Sequence, residues 1–273
     1  KIGWCNINHG KFKRAFKSFE KVLLQFKKVN LTELPENLRK TDVRQDALLA
    51  MIWPYSELSE KDLKKLGKVK SRPIIYFKAL SPNKISYQKV LKKLARRLIV
   101  KNKKVQATKV YFELLRQTSD LEARMDIIER LYVSMKNSLK PWPVRGFVQE
   151  IVKTLPEIKY STDLKKARIK KAFFDYEIYA RDIATRQDLR ARRMKVASQY
   201  QWAIKDYKSY LWAFHKGKYR KKIIINLANL YFKAGQFVKA AMIYEKIAKK
   251  DKSYLRTSIQ SYIASLKDPE KLN

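Results

Sequence analysis

Apolar residues recur along this chain at three- and four-residue spacing, the period of helices that bury one face. Leu91, Leu94, Ala95 and Leu98 form one such stripe, and Ile224, Leu227, Ala228 and Tyr231 another. The pattern predicts helices over about 122–137 and 144–154, split by the breaker Lys140-Pro141-Trp142-Pro143. Two long helices are expected next, over about 163–187 and 189–214, and a further one over 254–266. Asp163 after Thr162 is the expected start of the first, because a short oxygen-bearing side chain can accept a bond from a first-turn N–H.

The same internal spacing appears three times. One copy reads Ile224-x2-Leu227-Ala228-x2-Tyr231, then Gly235, then Ala240-x3-Tyr244 and Ile247. A second reads Leu91-x2-Leu94-Ala95-x2-Leu98, then Asn102, then Ala107-x3-Tyr111 and Leu114. The first copy in the chain reads Ile2-Gly3-x2-Asn6, then Gly10, then Ala15-x3-Phe19 and Val22. Gly and Asn are the residues that best tolerate a left-handed turn between two helices. The small Ala lets the second helix approach the first, and the aromatic one turn later fills the space beside it.

These copies resemble the tetratricopeptide (TPR) family, a helix-turn-helix unit repeating about every 34 residues. The resemblance implies an all-α fold, a helical-hairpin solenoid wound as a right-handed superhelix, with residues 1–273 as a single such domain. The central repeats are degenerate. Leu49-Ala50-x2-Trp53 restates a first-helix core, but Pro54 is expected to kink that helix, and a basic insert over 61–70 stands where the tight turn should be. Pro73 is then expected to open the next helix.

Composition sharpens the picture. Lys and Arg number 63 against 25 Asp and Glu, for a net charge of +38, while hydrophobic residues make up 45%. That apolar fraction excludes a purely disordered basic tail. Six Gly and eight Pro are too few for a loop-rich or low-complexity chain. The single Cys5 cannot form an internal disulfide, and no apolar run reaches the eighteen or so residues that span a bilayer. The chain opens at Lys1, as if inside a helix, and reads as a piece of a longer protein whose signal or anchor would lie upstream.

Catalytic and cofactor chemistry is not expected. His9 and His215 are the only histidines, and neither has Cys, Asp or Glu at metal-ligand spacing. The six glycines are too dispersed for a phosphate-cradling loop.

The positive charge therefore calls for a partner. Lys89, Lys92, Lys93 and Arg96 share one helical face. In TPR proteins first helices line the inner groove, so the resemblance places Lys89, Lys92 and Arg96 there, with Lys222, Asn229 and Lys233 at equivalent positions of the last copy. Such a lining suits other proteins, acidic peptides above all, through charge-assisted hydrogen bonds.

A second basic cluster, Lys165, Lys166, Arg168, Lys170 and Lys171 with Arg190, Arg192, Arg193 and Lys195, lies near Phe173, Phe174, Tyr176 and Tyr179. The aromatics fall at core spacing, which leaves the charges as a polyanion-attracting surface.

Gly3-Trp4-Cys5-x4-Gly10, Asp46-Ala47-Leu48-x4-Trp53-x3-Glu57 and Tyr207-x2-Tyr210-Leu211-x2-Phe214 resemble segments of the envelope TPR proteins of gliding and predatory Deltaproteobacteria. That resemblance implies a non-enzymatic scaffold in the periplasm or at the outer membrane, serving gliding motility or surface attachment. An anionic envelope polymer is a further partner it allows. The alternative expectation is a cytoplasmic helical-repeat protein that binds nucleic acid or another polyanion.

Overall fold

Residues 1–26, 43–136 and 145–267 are described by the computed structural model, and among them the regular elements are helices, with no strand. The chain divides into two units, Lys1–Ser138 and Leu139–Asn273. The first carries α1 (Ile2–Asn8), α2 (Phe12–Phe26), α3 (Val43–Glu57), α4 (Glu60–Leu66), α5 (Pro73–Leu80), α6 (Lys84–Val100), α7 (Lys104–Gln117) and α8 (Leu121–Lys136). The second carries α9 (Phe147–Lys159), α10 (Lys166–Met194), α11 (Ala197–Ala213), α12 (Arg220–Lys233), α13 (Phe237–Ala248) and α14 (Leu255–Lys267). In the second unit each helix packs on the next; in the first, α1–α2, α2–α3, α5–α6, α6–α7 and α7–α8 do, and α3 packs directly on α6, past α4 and α5.

Three connections share one backbone geometry. Gly10, Asn102 and Gly235 take φ of 67°, 54° and 74°, the left-handed region. The amides that follow them, of Lys11, Lys103 and Gln236, reach back to the carbonyls of Asn6, Leu98 and Tyr231 at 2.8, 2.8 and 2.9 Å. The turn residues' own amides bond Ile7, Ile99 and Phe232. This is the paired six-to-one and five-to-two closure of a Schellman turn, which satisfies carbonyls that a helix end leaves open. Five residues on, Ala15, Ala107 and Ala240 are fully buried, and Phe19, Tyr111 and Tyr244 are buried one turn later. Sequence spacing has thus become spatial equivalence at all three sites.

Seven residues before each turn stands a small residue, Gly3, Ala95 or Ala228. The reason is plainest at Gly3, where an added Cβ would lie 2.6 Å from the Phe19 ring. Helix and aromatic can meet there only because the side chain is missing.

The expected boundaries need correction in several places. The basic insert is not a bare loop. Ser59 accepts a bond from the Asp62 amide at 3.1 Å and so starts α4, and Gly67 ends it. Lys70 then binds Glu20 of α2 at 2.6 Å, and the Tyr76 hydroxyl donates to the same carboxylate at 2.8 Å. Pro54 lies inside α3 one turn from its end, where its missing N–H deprives only the Ala50 carbonyl of a partner.

In the second unit, α9 runs on through Pro156 to Lys159. No break occurs near residue 188. A single helix continues to Met194, because Asp188 pairs within it to Arg192 (2.6 Å) and the left-handed residue is Lys195, φ 52°. Its start is Lys166, and Asp163 does not cap it. The breaker residues 140–143 lie outside the described residues.

Cations also serve the folds internally. Glu57 binds Arg97 and Lys101, each at 2.7 Å, and Arg97 lies 4.4 Å over the Trp53 ring. Lys103 Nζ donates to the carbonyls of Ser56 and Leu58 at 2.7 and 2.8 Å, capping the end of α3. Burial holds the Lys103 amine below its ordinary pKa, with Glu57 opposing that shift.

Candidate functional site

Helix α6 has two faces, and the division between them builds the site. Val90, Leu91, Leu94, Ala95 and Leu98 are buried, which leaves Lys89, Lys92 and Arg96 exposed on the opposite side. Beside them α7 offers Tyr111 and Leu114, and α8 offers Ala123, Asp126, Ile127 and Arg130. Together these residues line a pocket of about 360 Å³. A second depression of about 440 Å³, reaching Ile99, Lys104 and Val133, shares Tyr111, Asp126 and Arg130 with the first. The two depressions adjoin along these three residues.

Carboxylates enter the electrostatics of this pocket alongside the cations. The α8 side of the pocket carries Asp126 and, just before the helix, Asp120. Asp126 is held by Arg130, Nε to Oδ2 at 2.8 Å, a pair about half exposed and so worth little to stability. Asp120 accepts from the Ala123 amide at 2.7 Å and caps α8. Arg130 offsets the Asp126 charge while Asp120 keeps its own, and Lys89, Lys92 and Arg96 leave the lining net positive. Tyr111 lines the pocket from α7. Burial pushes its hydroxyl above the ordinary phenol pKa against the pull of Arg130 and Arg96, so it stays neutral.

Lys222, Asn229 and Lys233 lie on α12, in the second unit, and are not part of this pocket. Lys222 and Lys233 are exposed. The Asn229 side chain is occupied, since its Oδ1 accepts the Tyr244 hydroxyl at 2.6 Å and so ties α12 to α13.

Within the second basic cluster, Tyr176 is buried, as core spacing implies, but Phe174 is 68% exposed. Arg192 is committed to Asp188, which also accepts the Tyr207 hydroxyl at 3.0 Å. Lys165, Lys166, Arg168, Lys170 and Lys171 are exposed. His9, His215 and Cys5 are exposed too. Among the described residues no group of three or more His, Cys, Asp or Glu is placed to hold a metal ion, and no helix is long and apolar enough to cross a membrane.

One surface was missed from sequence. Trp202, Lys205, Lys208, Ser209 and Trp212 of α11 line an open depression of about 630 Å³ together with Val152 of α9. Their spacing along α11 is the signal that could have found it. Near them on α11 is Asp206, 2% exposed, with the Gln149 amide donating to it at 2.8 Å. Burial pushes the Asp206 carboxyl up to about 7, against the opposing effects of the Gln149 bond and Lys205.

Compared with protein-family models and with curated proteins, the chain matches none.

Proposed function

We propose that this chain is a non-enzymatic protein-interaction scaffold whose hairpins are TPR-like solenoid repeats, and that the α6–α8 groove holds an acidic segment of a partner. The observation that carries the reading is the placement of Lys89, Lys92 and Arg96 along one wall of a pocket with an apolar floor of Leu114 and Ile127. An extended or helical acidic peptide can lay apolar side chains on that floor and give its carboxylates to the cations. The three matching hairpin turns support the repeat reading.

The test uses a labelled glutamate-rich peptide carrying a few leucines. At fixed moderate salt, the Lys92→Glu, Arg96→Glu double variant should bind it at least about tenfold more weakly than the parent, since two attractions become repulsions. Equal affinity would remove the groove from consideration. Placement in a bacterial cell envelope, as part of a motility or attachment assembly, belongs to the same proposal and rests on the three segments quoted above. Fractionation of expressing cells tests it, and a purely cytoplasmic pool would count against it.

A further inference from the structure

Trp202, Lys205, Lys208 and Trp212 follow one another at three- and four-residue steps and so share one stripe of α11. Trp212 is 71% exposed, a large apolar area that folding gives no reason to leave in water. Lys205 Nζ and the Arg145 guanidinium lie 5.3 and 5.7 Å from the centre of the Trp202 ring. Each is within cation–π range, which keeps positive charge beside the depression. The carboxylate on this part of the helix, Asp206, is buried and held by Gln149, so it interacts with Lys205 from inside the fold and does not stand at the surface among the cations.

We propose that this stripe is a stacking platform for single-stranded nucleic acid. Over ten residues, about 15 Å of helix, the order is aromatic plane, ammonium, ammonium, aromatic plane. A single strand presents the complementary alternation of base faces and phosphates. A lipid surface fits this order poorly. Helices that lie in a membrane interface keep a continuous apolar face with cations at its flanks, whereas sinking both tryptophans here would carry Lys205 and Lys208 in with them. An acidic peptide would satisfy the lysines but brings no plane to lay on Trp212. The platform lies in the second unit and shares no residue with the α6–α8 groove, so either proposal can fail without the other.

The experiment is fluorescence polarisation of a labelled oligo(dT) of about 12 nucleotides, within the site sizes such surfaces occupy, across a KCl series with the intact chain. Trp212→Ala should bind about tenfold more weakly at every salt concentration, the loss of one stacked base, with an unchanged salt slope. Lys205→Ala with Lys208→Ala should instead flatten the log–log slope by roughly 0.7 per cation, and Trp212→Phe should recover most of the affinity. Trp212 is exposed, and a circular dichroism spectrum matching the parent's shows that the variant is folded. Two results would overturn the proposal. One is Trp212→Ala binding the oligonucleotide like the parent throughout the series. The other is anionic vesicles or polyglutamate losing as much affinity on that substitution as the oligonucleotide does.

Discussion

Asp206→Asn is expected to stabilise the protein above neutral pH, by on the order of 4 kcal/mol, and to change little near pH 4. The carboxyl ionises near 3.8 when the chain is unfolded and at about 7 when it is folded. A folded pKa above the unfolded one means that the native state holds the proton more tightly. The penalty is therefore absent below the unfolded pKa, grows as pH rises between the two values, and is complete above the higher one. Roughly three pH decades at about 1.4 kcal/mol each set its size. Asn carries no charge to desolvate, and it still accepts the bond from Gln149. Lys205, which favours the ionised form, limits the gain. Urea melts of parent and variant at pH 5 and pH 8 decide the matter. Curves that shift in parallel with pH would show that Asp206 is not the group responsible.

Ala240→Leu should cost about 1–3 kcal/mol, the usual penalty for forcing extra methylenes into a filled space. Ala240 is fully buried at the crossing of α12 and α13, with Ala228 and Ala241 fully buried in the same pair and Tyr244 closing it. A Leu there has to displace Tyr244, and with it the Tyr244–Asn229 bond that ties the two helices. Thermal unfolding against the exposed control Lys239→Leu measures the effect. A loss no greater than the control's would mean that the small residue is not what sets the approach of the two helices.

The hairpins were legible because each depends on residues close in sequence. Gly or Asn at the turn, Ala five residues on and an aromatic four beyond that define one geometry within a couple of dozen residues. The end of α10 was only partly legible. The stripe of apolar positions weakens after Ile183 and Ala184; the i,i+4 pair Asp188–Arg192 was a local sign that the helix continues, but the Tyr207 hydroxyl that joins the same carboxylate comes from the next helix. The candidate groove was half visible. Helical spacing alone put Lys89, Lys92 and Arg96 on one face, but the opposite wall, with Asp120, Asp126 and Arg130, comes from the packing of α8 on α7. The α11 surface escaped because a Trp at helical spacing reads as core. Only the fold distinguishes the exposed Trp212 from the buried Tyr207 and Tyr210 on the same helix.

The two bonds made to Glu20 have a consequence for the order of assembly. Lys70 and Tyr76 lie 50 and 56 residues further along the chain, so joining them to α2 closes a long loop, whereas each hairpin closes within one turn. Loop closure carries an entropic cost that precedes any reward from the contact. The hairpin α6–α7 is thus the natural early nucleus, and the seating of α5 against α2 comes late and opens first. Native-state hydrogen exchange registers this as earlier labelling of the amides of residues 76–80 than of those in the middle of α6, and the reverse order would contradict it.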